Sequence, residues 1–377
     1  MIVAEALELL SGLRSKFKTT SLYTGPDLLA LQMMEYNLFG FSASKTESRL
    51  ASMIKLLIDE NNQIRSFTDF KELCHKEVDK FNNRYLEAEY NLSIAVGQNS
   101  AAYLRFMAEK DTVTSFVQYK TIGDDKVRAS HQILHNKIFN LSDKEAMDLF
   151  PPNGYGCRCE MVQYLGDTEG KVTKGRAAKA GLEQTDPKYK GSQFELNRGD
   201  LKQVFTKKQF YSDIKGLPEK INEMTFDKYD LKKWEDFKQD LNAIKLDKTI
   251  TEKNVKELFK PHKKTDYMGF EDYLGRKMVL KKETFEKHTK GKYLTEDEQR
   301  HQLFPFVKDI LKNPDEVWYY DTNNNGQKFQ SRYVKFYGDR AVIIDCDLDT
   351  ETHGLEIKTW YNMKAPERTI RKGFKIK

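Results

Sequence analysis

The run Pro151-Pro152-Asn153-Gly154-Tyr155-Gly156-Cys157-Arg158-Cys159 limits what this chain can fold into more than any other stretch. Two adjacent prolines fix two φ angles and remove two amide donors, and glycines follow directly. No helix or strand can run through, so the backbone must turn sharply. The turn delivers Cys157 and Cys159 with only Arg158 between them. Upstream, His131 and His135 are four residues apart, which in a helix places them on one face. This one segment, Tyr119 to Cys159, holds two of the seven histidines and two of the four cysteines. Two imidazoles from a helical turn and two thiolates from a tight loop make a tetrahedral Zn²⁺ donor set. The cysteine gap is shorter than the usual zinc spacing, and the competing reading is two buried cysteines beside two polar histidines with no metal.

Three blocks recur here in a recognisable order: Tyr119 and Thr121; Asp125, Val127, Arg128, His131 and Leu134; then Pro151 to Gly154 with Cys157 to Cys159. Together they resemble the signature of the phage Mu F-like minor head proteins, the head morphogenesis proteins of tailed phages. With its helical lead-in the resemblance spans residues 1 to 165. Asn136 departs from it, standing where many members carry glycine, which would permit a backbone angle that asparagine tolerates less readily. The resemblance implies docking near the portal at the head vertex, portal and capsid proteins as partners, and presence in the virion. It also favours a structural zinc or similar ion, with Asp125 as a substitute ligand for His135.

At 377 residues the chain exceeds one ordinary core, so two or three domains are expected. A hydrophobic share of 39% with 32% charged residues describes a folded globular protein and excludes the disordered class. No run of eighteen apolar residues occurs, so no transmembrane helix and no membrane partner are expected. The first residues, MIVAEALELLSGLRSK, carry Glu5 and Glu8 among the apolar positions, the pattern of an amphipathic helix instead of a secretory signal. Four cysteines make no disulfide framework in a chain this long, so synthesis in a reducing bacterial cytoplasm is expected. The net charge of +6 is uneven: residues 251–377 hold 26 Lys and Arg against 21 Asp and Glu, and the rest is almost balanced. A basic C-terminal third suggests an anionic partner, nucleic acid first, with plain solubility as the alternative.

Periodicity predicts an α+β chain. Residues 1–115 read as amphipathic helices. Residues 116–165 read as a small α+β unit, with strands at FVQYKT and CEMVQYL. Residues 166–250 begin as a polar, Gly- and Lys-rich connector and continue as short helices. Residues 251–377 read as a second α+β domain. There a helix ends near Asn313 and Pro314, and SRYVKFYG, RAVIIDCDLD and LEIKTWYNM form an antiparallel sheet, with turns at Gly338-Asp339 and at Thr352 to Gly354. Trp318 is expected in the core behind these strands, and His301 and His353 at the surface.

On and beside this sheet the sequence sets His288, Arg332, Lys335 and Thr359, followed by Arg368 and Arg371 in a basic tail. A histidine with cations, a hydroxyl and no paired carboxylates suits RNA cleavage without a metal. The 2′-hydroxyl attacks the adjacent phosphorus, histidine serves as proton acceptor or donor, and cations stabilise the developing charge. Each residue also has a plain reading. His288 is an ordinary surface histidine, Thr359 a core or edge strand residue, and Arg332 and Lys335 face opposite ways unless a bulge intervenes.

The FEKH histidine, the helix before NPDEVW, the Arg-Tyr-Val-Lys strand and the Lys-Thr strand resemble the barnase, EndoU, colicin and RelE-like nuclease domains fused behind phage minor head domains. That resemblance implies an RNA-cleaving effector, tRNA among its targets, with no cofactor and an immunity protein as partner. It carries over to His288, Arg332, Lys335 and Thr359. The alternative is a purely structural minor capsid protein whose basic C-terminal domain binds packaged DNA or neighbouring capsid and portal subunits. An ADP-ribosyltransferase-like domain is disfavoured because no Arg, Ser-Thr-Ser and Glu-x-Glu series appears in strand order. A nuclease requires His288 and Arg332 to converge on one cleft.

Overall fold

The computed structural model describes residues 2–17, 25–79, 81, 85–209, 211, 217–262, 265–322, 329–348 and 355–377. The expected turn at Thr352 to Gly354, His353 and the Arg368 side chain lie outside the described residues. The chain is α+β, as its periodicity predicts, and divides into two units: Met1–Leu22 with Ala30–Ile214, and Tyr23–Leu29 with Lys215–Lys377.

The first unit opens with four helices, α1 (Ile2–Phe17), α2 (Gly25–Lys55), α3 (Phe67–Asp79) and α4 (Leu86–Glu109). Ala6, Leu9, Leu10, Leu13 and Phe17 recur at helical spacing along α1 and are fully buried. Gly97 of α4 lets the two backbones meet, since a Cβ there would lie 2.5 Å from the Leu13 carbonyl oxygen. One buried cation serves two carboxylates in this bundle: Lys45 pairs with Glu5 and, at 2.6 Å, with Glu89. Burial raises the Glu89 pKa, and the Tyr211 hydroxyl donates to its other oxygen.

Beyond the helices come β1 (Phe116–Lys120), α5 (Ala129–Gln132), β2 (Ile138–Asn140), α6 (Lys144–Met147), β3 (Glu160–Gln163), α7 (Gly175–Thr185) and α8 (Arg198–Leu201). The strands form an antiparallel sheet in the order β2-β1-β3. β1 and β3 are the two expected strands. β2 is too short to show a period in the sequence.

The polar stretch expected to open residues 166–250 as an exposed connector is partly packed, and the short helices expected after it are present. Ala178 and Leu182 of α7 and Tyr189 after it enter the core that also holds Tyr119, Phe139 and Phe150. A two-residue apolar stripe buries a helix whose composition looks solvated. Asp143 secures it, its Oδ1 accepting from the Ala146 amide to cap α6 and its Oδ2 from the Gly175 amide. Residues from 215 onward belong to the second unit.

That unit contains α9 (Leu217–Asn222), β4 (Tyr267–Glu271), β5 (Lys277–Lys281), α10 (Lys282–His288), α11 (Arg300–Leu303), α12 (Val307–Lys312), β6 (Glu316–Asp321), β7 (Phe329–Phe336), β8 (Ala341–Leu348), β9 (Leu355–Met363) and β10 (Phe374–Lys375). Its sheet runs β10-β6-β7-β8-β9-β5-β4, antiparallel throughout except where β5 meets β9. β7, β8 and β9 are the three expected strands, and β6 completes the meander. Alternation along them separates two faces. Trp318, Val334 and Ile343 lie on one, covered by Phe226, Trp234 and Ile370. Trp360 lies on the other, against Phe285 of α10 and Phe304. Trp318 is fully buried, as expected, whereas His301 is buried and not at the surface, because α11 turns that side inward.

Candidate functional site

In the first unit α5 is a single helical turn, and His131 is buried within it. Its Nδ1 lies 3.7 Å from Cys157 Sγ and 3.5 Å from Cys159 Sγ, and the three donor atoms are within 4.8 Å of one another. A tetrahedral Zn²⁺ with Zn–S of about 2.3 Å and Zn–N of about 2.0 Å would hold sulfur and nitrogen about 3.5 Å apart. The donor set therefore fits such an ion. The loop that brings it together is clipped to α5: Arg128, the residue before α5, donates to the Tyr155 carbonyl. Its guanidinium rests on Gly154, where a Cβ would stand 2.9 Å from Arg128 Nη1. Beneath, Asn153 Nδ2 donates to the Tyr119 hydroxyl and the Leu149 carbonyl. The two sulfurs split in acidity. A hydrogen bond from Cys159, with His131 alongside, lowers the Cys157 pKa, and holding that proton raises Cys159.

In the second unit His288 ends α10, buried between the rings of Tyr293 at 4.9 Å and Trp360 at 5.4 Å. Its Nδ1 faces the Thr284 carbonyl at 2.8 Å. A carbonyl only accepts, so Nδ1 carries the proton and Nε2 keeps the basic lone pair. Burial lowers the His288 pKa and favours that neutral form. Tyr293 also takes the Arg300 guanidinium on its ring, 4.3 Å from the centroid, and Arg300 Nη1 donates to Thr359 Oγ1 at 2.6 Å. The Arg300 backbone is held in turn, because Trp360 Nε1 donates to its carbonyl. Base, cation and hydroxyl are thus linked through two aromatic rings.

Residues 48–162 match the family described as phage Mu protein F like protein, and residues 254–375 match the family described as phage-Barnase-EndoU-ColicinE5/D-RelE like nuclease2. The chain is 30% identical over 86 residues to the putative capsid assembly protein F of Escherichia phage Mu, across 23% of this chain and 19% of that one. The chain joins a Mu F-like domain to a phage nuclease-like domain. It is also 35% identical over 63 residues to the Mu-like prophage FluMu F protein of Haemophilus influenzae, across 17% of this chain and 15% of that one. A DNA primase of Clostridium acetobutylicum is 29% identical over 118 residues, across 31% of this chain and 19% of its own length. The chain thus spans less than a fifth of each of these curated relatives. No solved structure matches.

Within the Mu F-like domain the structure corrects the four-ligand set. α5 stops at Gln132, so the helical face expected to carry both histidines ends before His135. His135 turns away, its Nδ1 accepting from the Thr121 amide at 3.1 Å and lying 2.8 Å from Thr121 Oγ1. Asp125 is exposed, and neither residue joins His131, Cys157 and Cys159. The departure at Asn136 is accommodated. Its φ is +63°, the region that favours glycine, and its Oδ1 accepts from Lys120 Nζ at 2.6 Å.

Within the nuclease-like domain the expected four do not share one cleft. Arg332 is buried and committed: it pairs with Asp345 at 2.7 Å and donates also to Gln330 and to the carbonyls of Thr369 and Ile370. Lys335 pairs with Asp315 at 2.8 Å and, three residues on in the same strand, points to the other face. Thr359 does approach the site, because Arg300 reaches across to its hydroxyl. Plain alternation pairs it with Asp345, on the face of Arg332, and the bulge that skips Lys358 adjoins that pair. Sequence reasoning missed Arg300, a lone cation in the acidic run from Thr295 to Arg300 with no spacing to mark it.

Proposed function

We propose that this chain is a phage or prophage head component, present in the virion, whose nuclease-like domain cleaves RNA without a metal. The observation that carries the cleavage reading is the linkage of His288, Arg300 and Thr359 around Tyr293. Nε2 of His288 accepts the 2′-hydroxyl proton, a step worth about 10²–10⁴-fold. Arg300 stabilises the phosphorane-like charge, and Glu298, paired with its Nε at 2.6 Å, and Thr359 orient that guanidinium. Arg332, with its donors engaged, fails the expectation that it converge with His288 in a nuclease, and Arg300 takes the place of that cation. tRNA is a substrate to test first. The head assignment rests on the Mu F-like domain and on the capsid-assembly name of the phage Mu relative. It makes capsid and portal proteins the expected partners. An immunity protein would be needed only if the nuclease acts in the cell that makes it. In the Mu F-like domain a zinc-type ion at His131, Cys157 and Cys159 would fasten the Pro-Pro loop to α5.

The test uses full-length protein with total bacterial RNA in EDTA. Wild-type protein is expected to yield fragments ending in 2′,3′-cyclic phosphate. His288→Ala and Arg300→Ala are expected to lose at least a hundredfold in rate while keeping wild-type circular dichroism. RNA left intact by folded wild-type protein, with nucleic acid still bound, would favour a structural module that holds packaged DNA.

A further inference from the structure

Structural zinc sites close their shell with four protein ligands, whereas sites that exchange a ligand keep one position open. Among the described residues, His131, Cys157 and Cys159 are the only members of their donor group. The side chain that sequence spacing offers as a fourth, His135, is held by Thr121 instead. All three donors line a cavity of about 130 Å³, whose wall also includes Arg128, Tyr155 and Ile122. A water needs only about 10–15 Å³ of such space, so the cavity has room for one beside an ion. It admits a water or a small anion.

The charges point the same way. Two thiolates neutralise a divalent ion, and a neutral imidazole adds none, so the three-ligand centre carries no net charge. A singly charged fourth ligand would then need a cation beside it. Arg128 is exposed on the cavity wall, with the Tyr155 carbonyl as its hydrogen-bond acceptor and no carboxylate partner among the described residues. Of the other two cations on that wall, Arg158 is already neutralised by a two-pronged pair with Asp124, and Lys126 lies two residues from Arg128 and adds to the positive field.

We propose that the Mu F-like domain holds its metal ion through three side chains, and that the fourth position takes a water or a small monodentate anion steadied by Arg128. This rests on the metal reading above and goes beyond it, because it makes the centre an exchangeable ligand site and not a closed staple.

The test loads the full chain with Co²⁺ and titrates it with azide. One cobalt per chain is expected, with thiolate-to-cobalt charge-transfer bands and intense visible bands of four-coordination. Azide should shift the visible bands saturably. His135→Ala should keep both stoichiometry and azide response, and Arg128→Ala should weaken azide binding about tenfold per cobalt bound, the loss of one charge-assisted contact, read apart from any cobalt lost with the loop clip. Absence of thiolate-to-cobalt bands in folded protein would overturn the metal reading itself. One cobalt with bands that azide cannot move would overturn only the open position, as would loss of cobalt in folded His135→Ala.

Discussion

His288 owes its chemistry to a neighbour four residues back. The Thr284 carbonyl takes the Nδ1 proton, and burial disfavours the imidazolium, so the pKa lies below the ordinary value of about 6.5. The sign follows directly. A base that must be neutral works above its pKa, so activity should fall on the acid side with a midpoint below about pH 6.5. A pH–rate profile on wild-type protein checks this, and an acid limb centred above that value would remove His288 from the role of base. The same depression makes the unfolded chain the stronger proton binder, so any stability change from His288 is a loss as pH falls through about 6.5. Cyclic-phosphate yield must therefore be read alongside a folding signal at each pH. Asn136 makes a comparable point about backbone. Its left-handed φ is one asparagine reaches more readily than most residues, and Lys120 and the Tyr119 carbonyl fasten it there.

Between elements, close approach is decided by single glycines. The start of α7 meets α6 so tightly that a Cβ on Gly175 would stand 2.0 Å from the Ala146 amide nitrogen. Both groups are backbone, so neither can rotate aside. Gly175→Ala should lower stability by about 3 kcal/mol or more, a typical upper cost of overpacking. Urea denaturation measures it, and a loss under 1 kcal/mol would mean that α7 can shift without cost. The polar, glycine-rich stretch before α7 looks like a linker in the sequence because this close contact needs glycine, which composition cannot tell from a flexible hinge. On the sheet, alternation places Thr359 on the face it shares with Asp345, next to the bulge in β9. Arg300 reaches it from α11. The nuclease-like site is thus a product of strand register and one helix end.

At the scale of the whole chain, two units each bury their own core, one around Tyr119 and Phe150 and one around Trp318 and Ile343. A metal bound to the folded first unit stabilises that unit alone, by mass action. Calorimetry should therefore show two transitions, with a chelator lowering the temperature of one and leaving the other in place. A single transition that moves as a whole would mean the two cores unfold together. EDTA should leave RNA cleavage intact for the same reason, because the proposed metal and His288 lie in different units.

Much of this was legible beforehand. Apolar spacing marked α1 and α4, alternation marked β7, β8 and β9, and the Pro-Pro-Asn-Gly turn with Cys157 and Cys159 marked the first unit's donor pair. These are local patterns, set by residues close along the chain. Where a site's members come from distant segments, the tertiary structure decided. His135 was lost as a ligand because α5 ends one turn early. Arg332 was lost as a free cation because Asp345 faces it across the sheet. Arg300 entered because α11 packs against β9. Spacing records which side chains share a local face, but the place where a helix stops and the strand that faces another depend on contacts tens to hundreds of residues away.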